Sequence, residues 1–399
     1  MKKWIRSFMP ESLRAQQLSK KSSSVTPLIA CNTVGRPVWT PRRYDSLTKE
    51  GYQKNAIVYR CVNLIARGVS SVSWLLYEQK HELENHSVLN LLNCPSPYQA
   101  GSAFMESVVG YLLLSGNSYI EAVLNEDNIP SELYALRPDR MQVIPGKGGM
   151  VEAFEYTVGG HTKQLNVDPF SGKSTVLHLK NFHPLNDWYG MSALEAAGYA
   201  IDQHNEVGGH NLALMQNGGR PSGALLVKPG SNGQTLTKEQ RETLRQDLKE
   251  IYAGTQNAGK IMIFEGECEW REMGLSPKDL DFIAGKNLSA REIAQAFGVP
   301  PMLVGVPGDA TFANYREARF HLWEDTIMPL LEFLVAELNL WLLPHFGENL
   351  CLGYDIDSIP ALAPRREAAW NKISNADFLT LNEKRHAVGY SPIEGGDVL

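Results

Sequence analysis

The sequence predicts a chain of the α+β class built from several parts, and three observations lead to that prediction. Between residues 46 and 190, short segments rich in β-branched and aromatic residues alternate with helical patterns. Further along, Ser or Thr followed three residues later by an acid or an amide marks the starts of helices. A broad apolar stripe from about residue 315 to 343 then predicts one long helix. With 399 residues, 43% of them hydrophobic, the chain is long enough for about two to three domains.

Residues 46–190 are predicted as mixed α/β. Helical and extended patterns are separated here by breaker signals such as Pro95-Ser96-Pro97. We expect helices at residues 56–72, 86–93 and 103–114. We expect extended segments or strands at residues 74–77, 118–123, 132–136, 141–144, 153–158 and 176–180.

A helix and then a small α/β insertion are predicted for residues 191–273. A capping box at Ser192 opens the helix, which we expect to run to residue 217. The insertion is expected to contain a strand at 224–228, a helix at 237–253 that a capping box opens at Thr237, and a hairpin of 260–264 with 268–272. Because about fifty residues enclose only a small core, this insertion is expected to need a neighbouring copy for stability.

Two capped helical segments and a long helix are predicted for residues 274–345. Ser276 and Ser289 each have the sequence of an N-cap, and the proline pair that begins at Pro300 ends the second segment. The long helix follows a break at residues 305–309. Pro329 lies inside it and removes one backbone hydrogen bond, so we expect a kink there.

Charge and composition limit the possible classes of protein. Residues 1–44 hold nine Lys or Arg and one Glu, a net +8, so the remainder of this chain of net charge −6 carries −14. We interpret residues 1–45 as a basic, flexible arm. The five cysteines are scattered without a CxxC pair, which favours free thiols. No apolar run spans a bilayer and no apolar segment follows the basic N-terminus, so neither a membrane span nor a signal peptide is expected.

Two motifs imitate known sites but lack essential parts. Residues 171–175 (SGKST) resemble the end of a phosphate-binding loop, but Val167 occupies the position of the required glycine and a strand follows, so we expect a turn before that strand. Residues 291–299 (REIAQAFGV) imitate the first half of a helix-turn-helix, but Pro300 and Pro301 shorten its second helix. The histidines form no HExxH motif or metal-spaced cluster. We therefore expect no metal, no cofactor and no enzyme activity.

Several stretches, in order along the chain, resemble the portal proteins of tailed phages, specifically the HK97-type portal family. They are residues 55–62 (NAIVYRCV), 112–120 (LLLSGNSYI), 136–138 (LRP), 176–194 (VLHLKNFHPLNDWYGMSAL), 217–225 (NGGRPSGAL), 260–266 (KIMIFEG), 271–345 and 379–398 (ending VGYSPIEGGDV). No single stretch is diagnostic, but together and in this order they cover roughly residues 50–399.

The resemblance implies a portal-type subunit that assembles into a ring. Its parts would be a basic N-terminal arm (1–45), a mixed α/β wing (46–190), a stem helix (191–219), a clip (220–273), a second stem helix (274–303), a tunnel loop (304–315), a long kinked helix (316–345) and a C-terminal crown region (346–399).

The same resemblance implies a function and a set of partners. Twelve copies would form a ring at one vertex of the capsid in the virion, after assembly in the host cytoplasm, and conduct double-stranded DNA during packaging and ejection without reading its sequence. The implied partners are the terminase large subunit, the major capsid protein and a head–tail adaptor, with no membrane and no cofactor.

Candidate site residues follow from these parts. The tunnel loop has two glycines, a proline and no Lys or Arg, so its backbone can bend sharply and its polar contacts are weak. Its candidate channel residues are Val306, Pro307, Gly308, Asp309, Ala310, Thr311, Phe312 and Asn314. The basic candidates along the stem channel are Lys278, Lys286 and Arg291. The terminase-docking candidates of the clip are Arg241, Arg245, Lys249, Glu265 and Glu267. The candidates for the subunit interface are Trp323, Pro329, Phe333 and Trp341.

Two other functions remain open from the sequence alone. A helix-turn-helix regulator would use residues 289–304 and would prefer discrete DNA sequences. An ATP-consuming packaging enzyme would need the glycine that the 171–175 motif lacks. The sequence does not distinguish a virulent phage from a prophage or a gene-transfer particle.

Overall fold

The computed structural model describes residues 39–79, 81–146, 149–216, 223–227, 237–240, 242–243, 246, 268–272, 282–308, 311–388 and 393–397. Contacts divide the chain into the units Met1–Trp39 and Thr40–Leu399, and every element described below belongs to the second unit.

The helices agree closely with the sequence prediction in the wing and the stem. They are α1 (Tyr44–Thr48), α2 (Ala56–Ser70), α3 (Ser87–Asn93), α4 (Gly101–Ser115), α5 (Ala193–Ala196), α6 (Gly198–Gln216), α7 (Phe282–Ala296), α8 (Phe312–His321), α9 (Met328–Trp341), α10 (Ala363–Ser374) and α11 (Leu381–Ala387). π-helical segments occur at Lys49–Gln53 and Leu322–Ile327, and 3-10 turns at Pro138–Arg140, Pro301–Val304 and Leu343–His345.

The strands form small antiparallel sheets. They are β1 (Trp74–Glu78), β2 (His81–Glu82), β3 (Asn117–Leu124), β4 (Pro130–Leu136), β5 (Met141–Pro145), β6 (Val151–Val158), β7 (His161–Asn166), β8 (Val176–Lys180), β9 (Gly223–Val227), β10 (Cys268–Glu272) and β11 (Leu350–Tyr354). Their orders are β11-β1-β2, β4-β3-β8, β5-β6-β7 and β10-β9. Every strand predicted within the described residues is present, whereas β2, β7 and β11 were not predicted.

A large apolar core joins the wing helices to the long helix. Helix α2 contributes one buried face, with Val58, Ile65 and Val69 nearly inaccessible. Gly68 on this helix allows the close approach of Ile327, since a Cβ atom at position 68 would lie 2.5 Å from Ile327 Cδ1. A second, smaller core around Tyr119 and Phe154 holds the β5-β6-β7 sheet against β3.

The segment between β8 and α5 is fixed to the start of β3 by a buried polar network. Asn117 accepts a hydrogen bond from the Gly190 backbone N–H (2.7 Å), and its amide donates to the Gly190 carbonyl (3.2 Å). His178 Nε2 lies 3.0 Å from Asn117 Oδ1, and its ring stacks on Tyr119 with centroids 4.3 Å apart. Burial lowers the pKa of His178 to about 3, so the imidazole is neutral near neutral pH.

The predicted N-terminal arm extends too far along the chain. Residues 40–45 were assigned to the flexible arm, but Thr40 donates from its backbone N–H (2.9 Å) and from its hydroxyl to the buried carboxylate of Asp202 in α6. Arg42 lies over the ring of Tyr199, 4.3 Å from its centroid. These partners lie about 160 residues further along the chain, so local sequence patterns do not predict the contacts. The rest of the predicted arm, residues 1–38, lies outside the described residues.

Ser289 does not begin a helix. It lies inside α7, and its hydroxyl donates to the carbonyls of Gly285 (3.0 Å) and Lys286 (3.1 Å) in the preceding turn. A serine surrounded by helix-forming residues can satisfy its hydroxyl in this way without interrupting the helix. By contrast, Ser192 caps α5 as predicted, accepting from the Glu195 N–H at 2.9 Å. The helix predicted to follow it is divided at Ala197 into α5 and α6. The other predicted cap, Ser276, lies outside the described residues.

Where a kink was predicted in the long helix, the structure has a π-helical segment just before Pro329. The N–H of Met328 donates to the carbonyl of Trp323, five residues back. Proline lacks an N–H and its ring crowds the carbonyl four residues earlier, and a wider turn relieves that conflict. The position of the irregularity was therefore predicted, but its form was not.

Contrary to the expectation from the sequence, one helix in the described part of the chain is long and apolar enough to cross a membrane. It spans Ala313–His345, and a third of its most apolar window is buried within the subunit. Length and composition are weak grounds for a membrane span, because a core helix passes the same test. Its inner face packs in the protein core through side chains such as Leu331, Leu334 and Leu338.

Candidate functional site

Helices α6 and α7 pack against each other as the predicted stem pair. The chain leaves α6 towards β9 and returns through β10, which pairs antiparallel with β9 in the register Gly223↔Glu272 to Val227↔Cys268. The sequence predicted both strands of this clip, but it paired 268–272 with 260–264, which lie outside the described residues. The reciprocal capping box predicted at Thr237 is confirmed by its two hydrogen bonds with Gln240.

His204 lies between the stem helices and the wing. Its Nδ1 is 3.1 Å from the Asn55 side-chain amide, which also donates to Asn205 (3.0 Å). Burial, and then the positive charge of Lys286, lower the pKa of His204. Lys286 itself is exposed, whereas Lys278 lies outside the described residues.

Arg291 connects α7 to the predicted tunnel loop. Its guanidinium donates to the carbonyl of Pro307, and it lies so close to Gly308 that a Cβ atom there would be 3.2 Å from Nη2. Gly305 begins the loop in the left-handed region, with φ of +82°. Val306 is only 7% exposed and packs within the subunit, so it does not offer its side chain to a channel.

The far end of the loop is a capped helix start. Thr311 accepts a hydrogen bond from the Asn314 N–H at 3.2 Å and thereby caps α8. Among the other loop candidates, Asp309, Ala310 and the side chain of Phe312 lie outside the described residues. Pro307, Gly308, Thr311 and Asn314 are all exposed, the first two beside Arg291 of α7 and the last two at the start of α8.

A second contact between the stem and the long helix was not predicted. The hydroxyl of Thr326, in the π-helical segment, donates to the carbonyl of Gly298 at 2.6 Å. Gly298 has φ of +68°, and a Cβ atom there would lie 2.7 Å from Thr326 Oγ1. The sequence marks Gly298 as the glycine that ends α7, but it does not indicate the contact with Thr326, which lies 28 residues away.

Most of the predicted interface residues pack within their own subunit. Trp323 is 9% exposed in the core, and Trp341 donates from Nε1 to the Ser174 carbonyl at 2.8 Å. Phe333 is half-buried against the same core. Only Pro329, of the four, is exposed. The clip candidates Arg241, Arg245, Lys249, Glu265 and Glu267 all lie outside the described residues.

The motifs that imitate a phosphate-binding loop (171–175) and a helix-turn-helix (291–299) have the structures predicted from the sequence. In residues 168–175, Asp168 accepts hydrogen bonds from the N–H groups of Phe170 (3.1 Å) and Ser171 (3.3 Å), so the motif is a turn before β8. Its bond from the Ser171 hydroxyl is the main cause of the lowered pKa of Asp168. After α7, the second helix that a helix-turn-helix needs is a single 3-10 turn, Pro301–Val304.

One cluster among the described residues has a composition suited to metal binding, which the sequence did not predict. It consists of His321, Glu324 and Asp325, all exposed. Glu324 already pairs with Arg365 at 3.2 Å, and His321 lies 3.2 Å from Asp325. The three side chains thus already have partners within the subunit, Glu324 in an ion pair and His321 with Asp325 at hydrogen-bond distance.

Beyond the predicted sites, strand β11 ties the C-terminal region to the wing. It pairs with β1 in the register Trp74↔Tyr354 to Glu78↔Leu350, although it was assigned to the crown region. Farther on, the buried side chain of Asn382 holds residues 393–397 in place. Its amide donates hydrogen bonds to the Ile393 carbonyl (3.0 Å) and to the Asp397 carboxylate (2.8 Å). Part of the residues assigned to the crown thus belongs to the main core.

Comparison with known proteins identifies the family. The model of the phage portal protein family matches residues 56–389. The chain belongs to the phage portal protein family. The match agrees with the resemblance seen in the sequence, and nothing in it indicates an enzymatic activity, since the family is a structural one.

Relatives cover most of the chain. An uncharacterized protein of Rickettsia bellii is 46% identical over 352 residues, which are 88% of this chain and 90% of that protein. The portal protein of Enterobacteria phage HK97 is 24% identical over 370 residues, covering 89% of this chain and 83% of the phage protein.

Solved structures have the same fold. A chain in the neck of an empty gene transfer agent (GTA) particle, computed with C6 symmetry, is 42% identical with a TM-score of 0.72. The match covers 90% of this chain and 96% of that chain. An HK97 family portal protein from Corynebacterium diphtheriae is similar in fold, at 17% identity and a TM-score of 0.57, over 82% of this chain and all of that one.

Proposed function

We propose that this chain assembles into a ring at one vertex of a capsid and forms the conduit for double-stranded DNA during packaging and ejection. The observation that carries this proposal is the match to the GTA neck. Structures of that neck were computed with C6 and with C12 symmetry, and their chains are 42% and 41% identical to this one over 90% of its length. A ring of this chain is the simplest assembly that such symmetry supports.

The charge of the chain is compatible with a conduit. A duplex-binding protein that holds DNA tightly uses many Lys and Arg contacts to phosphate and depends steeply on salt. Twelve copies of a chain of net charge −6 carry −72, and an acidic wall repels phosphate, which lets the duplex slide.

We propose that residues Pro307 to Asn314 form the constriction of this channel. The Arg291 contact to Pro307 and the Thr311 cap hold the two described ends of the loop. Asp309 would set its charge, and Lys286 would face the channel from the stem. Arg291 is then a positioning residue for the loop rather than a contact to DNA.

The remaining partners belong to the same proposal. The clip, residues 220–273, would dock the terminase large subunit, the crown and wing would contact a head–tail adaptor and the major capsid protein, and assembly would begin in the host cytoplasm. A gene-transfer particle is favoured over a phage, because identity with the GTA neck chain is 42%, against 24% with the HK97 phage portal.

Mass photometry and negative-stain electron microscopy of the purified full-length chain test the ring. We expect particles with a central hole and a mass of about 533 kDa for twelve copies of 44.4 kDa. A monomer at every concentration, or a compact dimer that prefers one DNA sequence, would overturn the proposal.

The role of the loop is tested separately in particle-producing cells. Deleting residues 308–312 is expected to leave ring mass unchanged and to abolish DNase-protected DNA in particles. A matched variant carries Gly and Ser at the same five positions, keeping loop length without its side chains. Normal DNA content in the deletion variant would exclude the constriction role.

A further inference from the structure

The long helix has a second, exposed face that its own subunit does not cover. Pro329, Glu332, Ala336 and Leu340 are all exposed, and Leu340 is 77% accessible. Their spacing of three and four residues places them in one stripe. Only a third of the most apolar window of this helix is buried within the subunit. The stripe is therefore a partly apolar surface with a single acid, Glu332, near its middle.

The opposite side of the same helix lines a cleft against helix α2. Ala336 of the stripe follows Ile327, which lines the cleft, by nine residues of α-helix, about two and a half turns, so the cleft and the stripe face opposite sides of the helix. The cleft has a volume of about 310 Å³. Its floor is apolar and its rim is basic: the floor consists of Leu64, Leu303, Leu322, Trp323 and Ile327, and the rim of Arg60, Arg67, Arg319 and Tyr315.

The charges of the cleft and of the exposed face are complementary. Arg60 and Arg67 are seven residues apart on α2 and lie on one face of that helix. Arg67 pairs with Glu106 at 3.4 Å, whereas neither Arg60 nor Arg319 makes an ion pair with another described residue. Glu332 likewise pairs with no described cation. The cleft thus keeps an excess of positive charge, and the exposed stripe carries a negative one.

We propose that the exposed stripe of the long helix in one copy of this chain docks into the arginine-rimmed cleft of the next copy, with Glu332 facing Arg60 and Arg319. The proposal rests on the ring assembly proposed above. Because the cleft and the stripe lie on opposite sides of one helix, each copy offers one of each, and the contact is head-to-tail. A head-to-tail contact repeated with a closing rotation generates a ring.

The physical contributions divide between affinity and register. Docking removes the apolar side chains of Pro329, Ala336 and Leu340 from water, which favours binding. It also covers Tyr315, which is 43% exposed at the rim of the cleft. The Glu332 charge against two guanidinium groups selects the register and disfavours a partner with the same sign of charge. Guanidinium groups suit this role because they are weakly hydrated and present several donors in a plane.

Paired charge reversals test the contact. The cleft variant carries Arg60→Glu and Arg319→Glu, and the face variant carries Glu332→Arg. Ring mass is measured by mass photometry at a concentration where the wild-type chain is assembled. Each variant alone is expected to lose the ring, because its cleft and its stripe then carry charges of the same sign. An equimolar mixture is expected to recover the ring, because alternating copies make every contact complementary.

Matched controls separate assembly from folding. Glu126→Arg reverses an exposed acid in the turn between β3 and β4 and is expected to leave ring formation unchanged. Circular dichroism melts of the two variants are expected to match that of the wild-type chain diluted until it is monomeric, because assembly itself adds stability. Recovery in the mixture independently shows that both variants are folded.

Each result has one meaning. Rings of normal abundance in the cleft variant or the face variant alone would overturn the contact, as would a mixture that fails to recover rings. Flotation of the wild-type chain with vesicles of phosphatidylcholine alone, which carry no net charge to attract the basic residues 1–45, would assign the stripe to lipid and overturn the proposal if Leu340→Ser abolished the flotation. A wild-type chain that stays monomeric would overturn the ring itself, a failure distinguishable from the loss of rings in the variants alone.

Discussion

Replacement of Trp323 by alanine is expected to destabilise the subunit itself rather than only its assembly. The indole is 9% exposed and lies where α2, the 3-10 turn at residues 301–304 and the long helix meet. Truncation of a buried aromatic side chain costs about 3–5 kcal/mol, through lost transfer free energy and the cavity that remains. Since folded domains are stable by only about 5–15 kcal/mol, a large share of the unfolding free energy would be lost.

The assay is urea unfolding of the monomeric protein, followed by tryptophan fluorescence and circular dichroism. Monomer is needed because assembly adds stability that depends on concentration. Trp370→Ala is the matched control: Trp370 is 40% exposed under the Arg366 guanidinium, 5.6 Å from its ring centroid, so its loss is expected to cost below about 1 kcal/mol. Equal unfolding midpoints for the two variants, or loss of rings by Trp323→Ala with an unchanged monomer midpoint, would refute the reasoning.

Three further predictions concern the stem, the wing and the loop. Gly298→Ala places a Cβ atom against Thr326 at a φ of +68° and is expected to cost at least about 1 kcal/mol in urea unfolding, whereas Gly209→Ala, in an open helical position, is expected to stabilise by about 0.5–1 kcal/mol. His178 has a folded-state pKa of about 3, against 6.5 unfolded, so the unfolded state binds its proton first and stability falls as the pH drops from about 6.5 towards 3, by up to about 1.4 kcal/mol per pH unit. His178→Gln should flatten that part of the unfolding profile, and an unchanged slope would contradict the assignment. Arg291→Ala is expected to speed limited proteolysis within residues 305–311 without changing ring mass, and equal cleavage rates would argue against the contact with the loop.

Local sequence patterns were reliable where the deciding contacts are close along the chain. The caps at Ser192 and Thr237, the turn at Asp168 and the short 3-10 turn after α7 each depend on residues within a few positions. The same kind of pattern was wrong at Ser289, because a serine three residues before a glutamate fits both a helix start and a helix interior. In this protein the residues before Ser289 are already helical, and its hydroxyl donates to the Gly285 carbonyl one turn earlier, so Ser289 lies in the helix interior.

Burial was harder to predict than secondary structure. Trp341 was expected at a subunit interface because the chain has more large aromatic residues than a small core needs. Its indole instead donates to Ser174, 167 residues earlier, at the edge of the wing. A tryptophan on an amphipathic helix has the same sequence signature whether its own subunit or a neighbour covers it.

The sequence by itself determined the α+β class, the order of most helices and strands and, through the resemblance, the portal family. Hydrophobic periodicity, caps and prolines act over a few residues, so short stretches of sequence are enough to predict these elements. Only the tertiary structure decided that β11 joins β1, that Arg291 holds Pro307, and that Thr326 fills the space above Gly298. Those contacts join segments 16 to 280 residues apart, and no local pattern encodes which partner the folded chain brings within reach.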